Sequence, residues 1–554
     1  MRIDRRRALA LLGLGAASGS AHAADFYKGS VDFNHGVGSG DPLADRVILW
    51  TRITAQESTA AEIAYSWTIT PASGGKALTG TGITGPGRDY TVKIDVAGLA
   101  PATDYVFSFE ANGTSSPKGQ TRTLPVGKTK EVVMAVASCS LYPNGYFNAY
   151  GAIAALDKVD VIIHLGDYIY EYGGDDSYGM DSPVAAKRTH KPNRHIVSLA
   201  DYRERHAQYK SDPQLQAAHA RAPWVVVWDD HETANNSYAD GAENHHPEFQ
   251  GSWVERKVAA VRAYYEWMPI REPANGGAAI NRTFQFGDLA SLIMLETRLT
   301  ARMLQLDYST DLNGADGKPD IEGLKVKIAD PKRKMLGLDQ EAWLAGELKT
   351  SIQAGQTWQV LGNEVVMAKV MVPSFKKELG PERYAQVREA AGAAGRQRMD
   401  RMDRIGDQNL PYGLDMWDGY PVERERVYGI FKETKSHPVV LAGDSHAFWA
   451  NELHDDAGER RAVEFGTTGI TSPGGGDALK GVPIGEVYAK ANRDIVYNEQ
   501  AAKGFVLLTL NHKGGKADMV AVSTIVEENY TTSVIKSFTF KPEKGGVSAL
   551  KEKA

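Results

Sequence analysis

Short apolar runs alternate with helical patterns from residue 130 onward, and this alternation restricts the possible fold more than any other feature of the chain. The apolar runs lie at residues 132–137, 159–165, 224–228, 292–295, 358–361 and 439–442. The helical patterns lie at residues 145–156, 199–220, 253–267 and 339–350. Strands that alternate with helices are typical of layered α/β domains, so the sequence predicts such a domain over residues 130–525.

The region before residue 124 has a different pattern. Strand-like segments lie at residues 47–52, 62–69, 90–94 and 104–109, with turns rich in Gly and Pro between them. This spacing predicts a small all-β sandwich domain of the immunoglobulin or fibronectin type over residues 28–124. At the other end, residues 526–554 form a C-terminal segment. Its tail from Lys541 is rich in Lys and Gly, and we expect it to be loose.

Residues 1–23 have the charged, apolar and small-residue order of a secretory signal peptide. Arg5-Arg6-Arg7 precede an apolar run over residues 8–19, and Ala21-His22-Ala23 has the form of a cleavage site. The paired arginines favour the twin-arginine route, which exports folded proteins, and an ordinary Sec signal is the alternative. Neither this run nor any later segment is long enough to span a membrane. We therefore expect a periplasmic or secreted protein without a transmembrane segment, which has the twin-arginine export machinery as a partner.

Composition excludes several classes of protein. The 554 residues are 42% hydrophobic, as in an ordinary globular protein, and they carry a formal net charge of −6. With no block of basic residues, nothing predicts nucleic-acid-specific binding. Cys139 is the only cysteine, which excludes an intramolecular disulfide. A free thiol in an oxidising compartment needs shielding or coordination, so Cys139 is either a small buried apolar residue or a thiolate ligand to iron.

Polar clusters follow three of the apolar runs. They are Gly166-Asp167-Tyr168, Asp229-Asp230-His231-Glu232 and Gly443-Asp444-Ser445-His446. Ligands of open α/β sheets bind at the carboxyl ends of strands, and carboxylates hold several cations by sharing oxygens. A single Asp at a strand end is more often a turn residue or a helix cap. Three such clusters together predict a site for more than one metal ion.

Several motifs resemble the alkaline phosphatase D (PhoD-like) family. They are FNHGVGSGDP at 33–42, ILWTR at 48–52, ASC at 137–139, HLGDYIYE at 164–171, WDDHE at 228–232 with NN at 235–236, and GDSH at 443–446. The motifs stand in the order of the family and span nearly the whole chain after the signal peptide. One departure is Glu296 before Thr297-Arg298, where the family pattern has Asp.

The resemblance implies a calcineurin-like metallophosphoesterase core, a layered β-sandwich with flanking helices. It also implies Fe³⁺ and Ca²⁺ as cofactors, in numbers that the sequence does not give. Carried over by motif, the iron ligands are Cys139, Asp167, Tyr170 and His446. Strand alternation would place Tyr170 on the face opposite Asp167, so its role as a ligand requires the chain to turn there.

The calcium ligands follow from the same resemblance. Asp167 bridges from iron to calcium, and the further ligands are Asp230 and Asp444, with Asp229 as the alternative to Asp230. Other nearby side chains have two possible roles each. The amides of Asn235, Asn236 and Asn363 are either additional ligands or turn residues, and His164 and His231 either orient ligands or belong to the core.

These observations predict an exported phosphatase or phosphodiesterase that hydrolyses phosphate esters by attack of a metal-activated hydroxide. Asp167, Asp230 and His446 are its expected catalytic residues, and its expected partners are small phosphate esters or phospholipid headgroups. An arginine should bind the phosphate; Arg298 and the pair Arg203/Arg205 are the candidates, although any one of them could be a surface charge.

Two alternatives remain at this point. The first is phospholipase D-type cleavage of phospholipid headgroups, since the resemblance admits phosphodiesters. The second belongs to another class: a non-catalytic binding protein of the cell envelope, which the intact carboxylates at the strand ends argue against.

Overall fold

The structure, a computed structural model, describes residues 26–174, 176–274, 276–314 and 318–553. The predicted signal peptide, residues 1–23, lies outside the described residues. The described chain is a mixed α/β structure whose N-terminal region is all-β. Among its described helices, none combines the length and the apolar character needed to cross a membrane.

The strands of the described residues follow one another along the whole chain. They are β1 (Val31–Asp32), β2 (Val37–Gly40), β3 (Arg46–Arg52), β4 (Thr54–Ala55), β5 (Ile63–Pro71), β6 (Leu78–Thr84), β7 (Thr91–Ala97), β8 (Asp104–Ala111), β9 (Thr114–Ser115), β10 (Gly119–Arg122), β11 (Glu131–Ala137), β12 (Val161–Leu165), β13 (Trp224–Val227), β14 (Arg282–Phe286), β15 (Ala290–Met294), β16 (Trp358–Gly362), β17 (Pro438–Ala442), β18 (Phe448–His454), β19 (Arg460–Gly466), β20 (Ile495–Glu499), β21 (Lys503–Asn511), β22 (Gly514–Val522), β23 (Thr532–Phe540), β24 (Pro542–Glu543), β25 (Gly546–Val547) and β26 (Lys551–Glu552).

The helices lie almost entirely after β11. They are α1 (Asn148–Ala154), α2 (Leu199–Lys210), α3 (Pro213–Arg221), α4 (Pro247–Gln250), α5 (Trp253–Trp267), α6 (Tyr308–Asp311), α7 (Ile321–Ile328), α8 (Gly337–Gln353), α9 (Phe375–Leu379), α10 (Pro381–Ala390), α11 (Gly392–Gly406), α12 (Pro421–Thr434), α13 (Gly475–Ala478) and α14 (Ile484–Ala491). Short 3₁₀ helices lie at Pro86–Arg88, Tyr142–Asn144, Ala185–Lys187 and Trp417–Gly419.

Two large sheets contain most of the described strands. The first has ten strands in the order β26-β23-β22-β21-β11-β12-β13-β2-β3-β7, and β11, β12, β13 and β2 are parallel. The second has seven strands in the order β14-β15-β16-β17-β19-β18-β20, and β15, β16, β17 and β19 are parallel. The six apolar runs seen in the sequence are therefore parallel strands of these sheets, three in each.

The burial pattern explains why these runs are apolar throughout. Val360 of β16 and Leu441 of β17 belong to one core cluster with the residues of β11, β12 and β13. Their neighbours Leu361 and Val440 belong to a second cluster, which includes side chains of α8, α12 and α14. One face of the seven-stranded sheet thus shares a core with the ten-stranded sheet and the other face packs against helices, so both faces demand apolar residues.

The N-terminal region is divided between two sheets. β5, β6, β8, β9 and β10 form a separate sheet, whereas β2, β3 and β7 extend the ten-stranded sheet. The junction is the pairing of β13 with β2, where Trp224 is opposite Gly40. A core cluster that contains Val47 and Leu49 of β3 and Phe107 of β8 fills the space between the two layers. One layer of the predicted sandwich is thus continuous with the rest of the protein.

One predicted helix is interrupted in the structure. The pattern over residues 199–220 indicated a single helix, but α2 ends at Lys210 and α3 begins at Pro213. Asp212 caps α3, because its Oδ1 accepts the backbone N–H groups of Gln214 at 2.9 Å and Leu215 at 3.2 Å. Proline is well tolerated at the first position of a helix but interrupts a helix interior, which explains the break.

The expectation of a loose C-terminal tail is wrong. β24 and β25 form a hairpin, and β26 pairs with β23 at the edge of the ten-stranded sheet. Val547 and Leu550 are buried, and the backbone N–H of Leu550 donates to Glu452 Oε1 at 2.8 Å. Two apolar side chains and these pairings order the tail despite its Lys- and Gly-rich composition.

Candidate metal centre

The parallel strands of both sheets end next to one another, and the predicted ligands follow these ends. Cys139 Sγ, a carboxylate oxygen of Asp167 and an imidazole nitrogen of His446 lie within 4.8 Å of one another. Two further groups meet the same limit: Asp167 with Asp230 and His231, and Asp229 with Asp230 and Asp444. Because Asp167 and Asp230 each belong to two groups, the three groups form one continuous row of ligand atoms.

The backbone at this row is in an unusual conformation. Cys139, Asp167, Asp444 and His446 have φ angles of 61°, 56°, 57° and 56°. Non-glycine residues rarely adopt this left-handed region, and a Cys does so less readily than Asp or His. Such strain is kept where the surrounding structure enforces it, typically at functional sites. Here it turns the chain sharply after β11, β12 and β17 and directs the side chains towards each other.

Tyr170 joins the first group because β12 ends before it, at Leu165. Its hydroxyl donates to Asp167 Oδ2 at 2.9 Å, lies 2.6 Å from Ser472 Oγ and is 3.4 Å from His446 Nε2. The turn that a ligand role requires is therefore present. Thiolate, phenolate, imidazole and carboxylate together form a donor set suited to a transition metal.

Two buried carboxylate oxygens in the row have no hydrogen-bond partner among the described residues. They are Asp229 Oδ2 and Asp230 Oδ1. The other oxygen of each is occupied: Asp229 Oδ1 accepts from Arg298 Nε at 2.5 Å, and Asp230 Oδ2 accepts from the backbone N–H of Asn236 at 2.6 Å. Buried acceptors are normally paired, so these two oxygens fit a site for cations. Asp230, which faces both Asp167 and Asp444, occupies the more central position.

Burial dominates the electrostatics of the row. It raises the pKa of Asp229 to about 8 and that of Asp444 to about 7, and it raises the pKa of Asp167 well above its usual value. Burial also raises the pKa of the Cys139 thiol and lowers that of His446 to about 4. Carboxylates in such a place resist ionisation unless positive charge is near, which is the role that bound cations would have.

Two family models match the chain. The PhoD-like phosphatase family matches residues 134–519, and the N-terminal domain of PhoD-like phosphatases matches residues 18–125. The chain belongs to the PhoD-like phosphatase family.

Two relatives cover almost the full length of this PhoD-like chain. Alkaline phosphatase D of Bacillus subtilis (strain 168) is 34% identical over 540 residues, which are 94% of this chain and 82% of that protein. A solved structure described as the structure of PhoD has a TM-score of 0.76 and 32% identity, and the match covers 94% of this chain and 92% of that one. The protein is therefore a hydrolase of phosphoric ester bonds, and the alternative of a non-catalytic binding protein is wrong.

Glu232 has a positioning role in this PhoD-like site that the sequence did not reveal. Its carboxylate accepts the backbone N–H groups of Asp167 at 3.1 Å, Tyr168 at 2.5 Å and Asp229 at 2.8 Å. It thereby ties the end of β12 to the end of β13. Glu232 is the last residue of the Asp-Asp-His-Glu cluster, but the sequence does not distinguish a carboxylate that accepts backbone N–H groups from one that binds a metal.

The two histidines that the sequence left undecided have different roles. Glu171 Oε2 lies 2.7 Å from His231 Nδ1, which leaves His231 Nε2 facing Asp230 Oδ1 at 4.0 Å. Burial opposes the charge of His231, but Asp230 and Glu171 raise its pKa. His164 instead bonds to the Tyr150 hydroxyl at 2.7 Å and stacks on Trp224, so it is a core histidine.

The three arginine candidates are not surface charges. Arg298 is fully buried and its guanidinium contacts Asp229, Asp415 at 2.9 Å and Asp444 at 3.4 Å. Arg203 pairs with Glu266 at 2.6 Å. The buried Arg205 donates to backbone carbonyls, among them that of Pro192 at 2.9 Å. Arg298 therefore balances the charge of the acidic row, Arg203 joins α2 to α5, and Arg205 holds a neighbouring loop.

Four further residues, three amides and Glu296, have structural contacts. Trp417 Nε1 donates to Asn363 Oδ1 at 3.0 Å, so this amide fastens a turn. The amides of Asn235 and Asn236 both donate to Glu243 Oε2. Glu296 accepts from Trp228 Nε1 at 3.0 Å and from the backbone N–H of Arg298 at 2.9 Å, so it holds the loop of Arg298 in place.

Proposed function

We propose that this PhoD-like hydrolase is a metal-dependent phosphatase and phosphodiesterase of the cell envelope, exported by the twin-arginine route. The single observation that carries the metal dependence is the row of ligand atoms described above, with two buried carboxylate oxygens that lack a partner among the described residues. The export route rests on the charged, apolar and small-residue order of residues 1–23.

The donor chemistry of the row divides it into two parts. Cys139, Tyr170 and His446 supply sulfur, phenol oxygen and imidazole nitrogen, which suit Fe³⁺. Asp230 and Asp444 supply only carboxylate oxygen, which suits Ca²⁺, and Asp167 lies between the two parts. When bound, such cations neutralise the charge of a phosphate ester and make water a stronger nucleophile at the working pH.

The surrounding residues hold this arrangement. Glu232 fixes the ends of two strands, Glu171 orients His231 towards Asp230, and Arg298 balances the charge of Asp229 and Asp444. Two predicted ligands are partly exposed, one in each terminal group of the row: Asp444 is 20% exposed and His446 is 14% exposed, against 2% for Asp167. Asp415, which pairs with Arg298, is also 20% exposed. A phosphate ester would approach the row from the side on which these groups are exposed. The two large sheets with their flanking helices support a calcineurin-like architecture for the whole domain.

Elemental analysis of the mature protein, purified without chelators, tests the metal assignment. We expect about one iron and one or more calcium per chain. Stoichiometric zinc or manganese instead would keep the hydrolase and contradict the roles of Cys139 and Tyr170, and the absence of metal after reloading would contradict metal dependence.

A substrate panel tests the chemistry. Phosphate release from an aryl monoester and cleavage of a bis-aryl diester are both expected, whereas release of choline from phosphatidylcholine would indicate the phospholipase D-type activity. Failure of the metal-replete enzyme on the diester would restrict the protein to monoesters.

A further inference from the structure

A cavity opens beside His446, in one terminal group of the metal-ligand row. Its volume is about 470 Å³, and its lining includes Gly475, Gln500, Tyr412 and the side chains of one face of α11. Cavities in this size range hold groups as large as a drug-sized molecule.

Contacts on two sides join this cavity to the row. Gly475 follows Pro473-Gly474, and the carbonyl of Pro473 lies 2.8 Å from His446 Nδ1. On the other side, the lining residue Gln500 packs with His446 against Gly474, where a side chain would meet the carbonyl oxygens of both. The cavity therefore lies next to His446, one of the more exposed of the predicted ligands.

The α11 wall combines charge with an apolar surface. Arg398, Arg401, Met402 and Ile405 stand at helical spacings of three, four and seven residues, so they share one face of α11. Gly395, Met399 and Asp403 are the buried residues of the helix and hold its other side against the protein. On the face that lines the cavity, Arg398 and Arg401 are exposed, whereas Met402 and Ile405 are half-buried and also pack against core clusters.

The charge of the cavity has one sign. Arg398 and Arg401 are the charged residues among its described lining, and both are exposed. In the part of the chain that the structure describes, neither guanidinium has a carboxylate within 4.0 Å, whereas Arg388 on the preceding helix pairs with Asp400. The rest of the lining is largely aromatic and aliphatic, with Tyr308, Tyr488 and Leu479 among its members.

We propose that this cavity binds the organic group of the substrate, and that it selects phosphate esters in which an apolar or aromatic body carries a second anionic group. The inference rests on the proposed function, since it assumes that the scissile phosphate lies at the metal-ligand row. The tyrosines and aliphatic side chains contact the apolar body, while Arg398 and Arg401 bind the second anion. Two guanidinium groups can give it paired, charge-assisted hydrogen bonds.

A matched pair of substrates tests this selection. One is an arylalkyl phosphate with a terminal carboxylate, and the other is its methyl ester, which keeps the shape and lacks the charge. With the metal-replete wild-type enzyme we expect kcat/KM to be about tenfold or more higher for the carboxylate, the size of one good charge-assisted hydrogen bond. Each ester is made with two alkyl chain lengths, which vary the distance between its phosphate and its terminal carboxylate.

The variants identify the source of the preference. In R398Q/R401Q the ratio of the two kcat/KM values should fall to about one, and a circular dichroism spectrum and thermal midpoint equal to those of the wild type would show that the variant is folded. R404Q is the matched control, because Arg404 is exposed on the same helix and does not line the cavity; its ratio should equal that of the wild type.

Two results would overturn the inference: equal kcat/KM for both esters in the wild type, or an unchanged preference in R398Q/R401Q. Failure of the wild type to hydrolyse either ester would reject the proposed substrate class together with the placement of the phosphate. Hydrolysis of both esters without preference would reject only the role of the cavity.

Discussion

Two groups of buried ionisable side chains lie on either side of the Asp167-Tyr168 segment, and their compositions are opposite. The acidic cluster consists of Asp167, Asp229, Asp230 and Asp444. The basic cluster consists of His164, His206, Lys210 and His219. Tyr168 belongs to the second side, because its hydroxyl lies 2.8 Å from His219 Nε2.

The basic cluster contains no carboxylate. Lys210 Nζ lies 3.0 Å from His219 Nε2 and 4.4 Å from the centre of the Trp50 ring, and no carboxylate of the described residues is paired with it. Burial lowers the pKa of Lys210 well below its usual value and lowers the pKa of His164 and His206 to about 3. These groups become neutral by releasing a proton.

This difference in charge indicates that the basic cluster belongs to the core and that the acidic cluster fits a binding site. A basic group that loses its proton leaves no charge to balance, so the basic cluster needs no counter-ion, although ring nitrogens of His164, His206 and His219 also lack a hydrogen-bond partner among the described residues. The acidic cluster retains two oxygens without partners, and burial opposes but does not prevent the charge of Asp230, because His231 and Arg298 lower its pKa. The acidic cluster is therefore the one of the two whose ligand atoms and charge fit cations.

The sharpest test of this contrast removes the charge at the centre of the acidic cluster. Asp167→Asn should reduce kcat/KM by more than the roughly 10–100-fold typical of groups that only orient ligands, because Asp167 belongs to two ligand groups. Steady-state kinetics with an aryl phosphate gives the effect.

Asp41→Asn is the control for Asp167→Asn. Asp41 is also a buried aspartate with positive φ, but it pairs with Arg282 outside the acidic cluster. Its variant should keep the activity per folded molecule. Near-normal turnover of Asp167→Asn would remove this carboxylate from the mechanism.

A smaller loss of function is expected at Glu171, which contacts His231 and is not itself a predicted ligand. Glu171→Gln keeps the shape of the side chain that orients His231 but weakens the contact at 2.7 Å. We expect the affinity for metal to fall about 10–100-fold, with much of the activity restored by excess metal. Metal titration followed by activity separates this outcome from general misfolding, and a loss that excess metal does not restore would contradict the positioning role.

In the basic cluster, removing an ionisable group should stabilise the folded protein. Lys210→Met replaces a buried amine by an apolar side chain of similar size and should raise the free energy of unfolding at pH 7 by about 1–3 kcal/mol. The gain should shrink towards pH 10, where the unfolded lysine is also losing its proton. Urea unfolding at both pH values measures this, with exposed Lys118→Met as the control. A destabilised variant would show that the Lys210 amine makes a bond the fold needs.

A last test concerns two histidines of the basic cluster. The pKa of His164 and of His206 is about 3 in the folded protein and 6.5 when exposed, so between these values the unfolded chain binds more protons. The free energy of unfolding should therefore fall as the pH drops from about 6.5 towards 3, by at most about 1.4 kcal/mol per pH unit for each histidine.

His206→Phe should reduce that slope, whereas exposed His246→Phe should not. Urea unfolding at several pH values provides the comparison. Equal slopes in the two variants would mean that His206 is accessible to protons in the folded state.

The sequence located the acidic cluster because its residues follow apolar strands, and parallel strands of this kind bring their carboxyl ends together. It could not distinguish ligands from supports. Glu232 binds three backbone N–H groups, and Arg298 pairs with carboxylates 69, 117 and 146 residues away, which no local pattern encodes. The loop of Tyr170 was similarly hidden, since strand alternation holds only while the strand continues.

The fold could be predicted to a similar extent as the site. Apolar runs and helical periodicity identified the main strands and helices, but the sharing of β2, β3 and β7 with the large sheet depends on pairing between distant segments. The break between α2 and α3 could be predicted from Asp212-Pro213, a helix cap followed by a proline. The order of the tail could not be predicted, because its few apolar residues stabilise it only by packing against the folded protein.

The position of β21 beside β11 has a consequence for synthesis of the protein. β11 is made early, yet its antiparallel partner is made only near the end of the chain, so one edge of an apolar strand stays unpaired during most of translation. Such edges associate readily with other chains, and pairings this distant in sequence form slowly. A chain that stops before residue 503 would keep that edge open permanently, and we expect it to aggregate rather than to fold into a smaller enzyme.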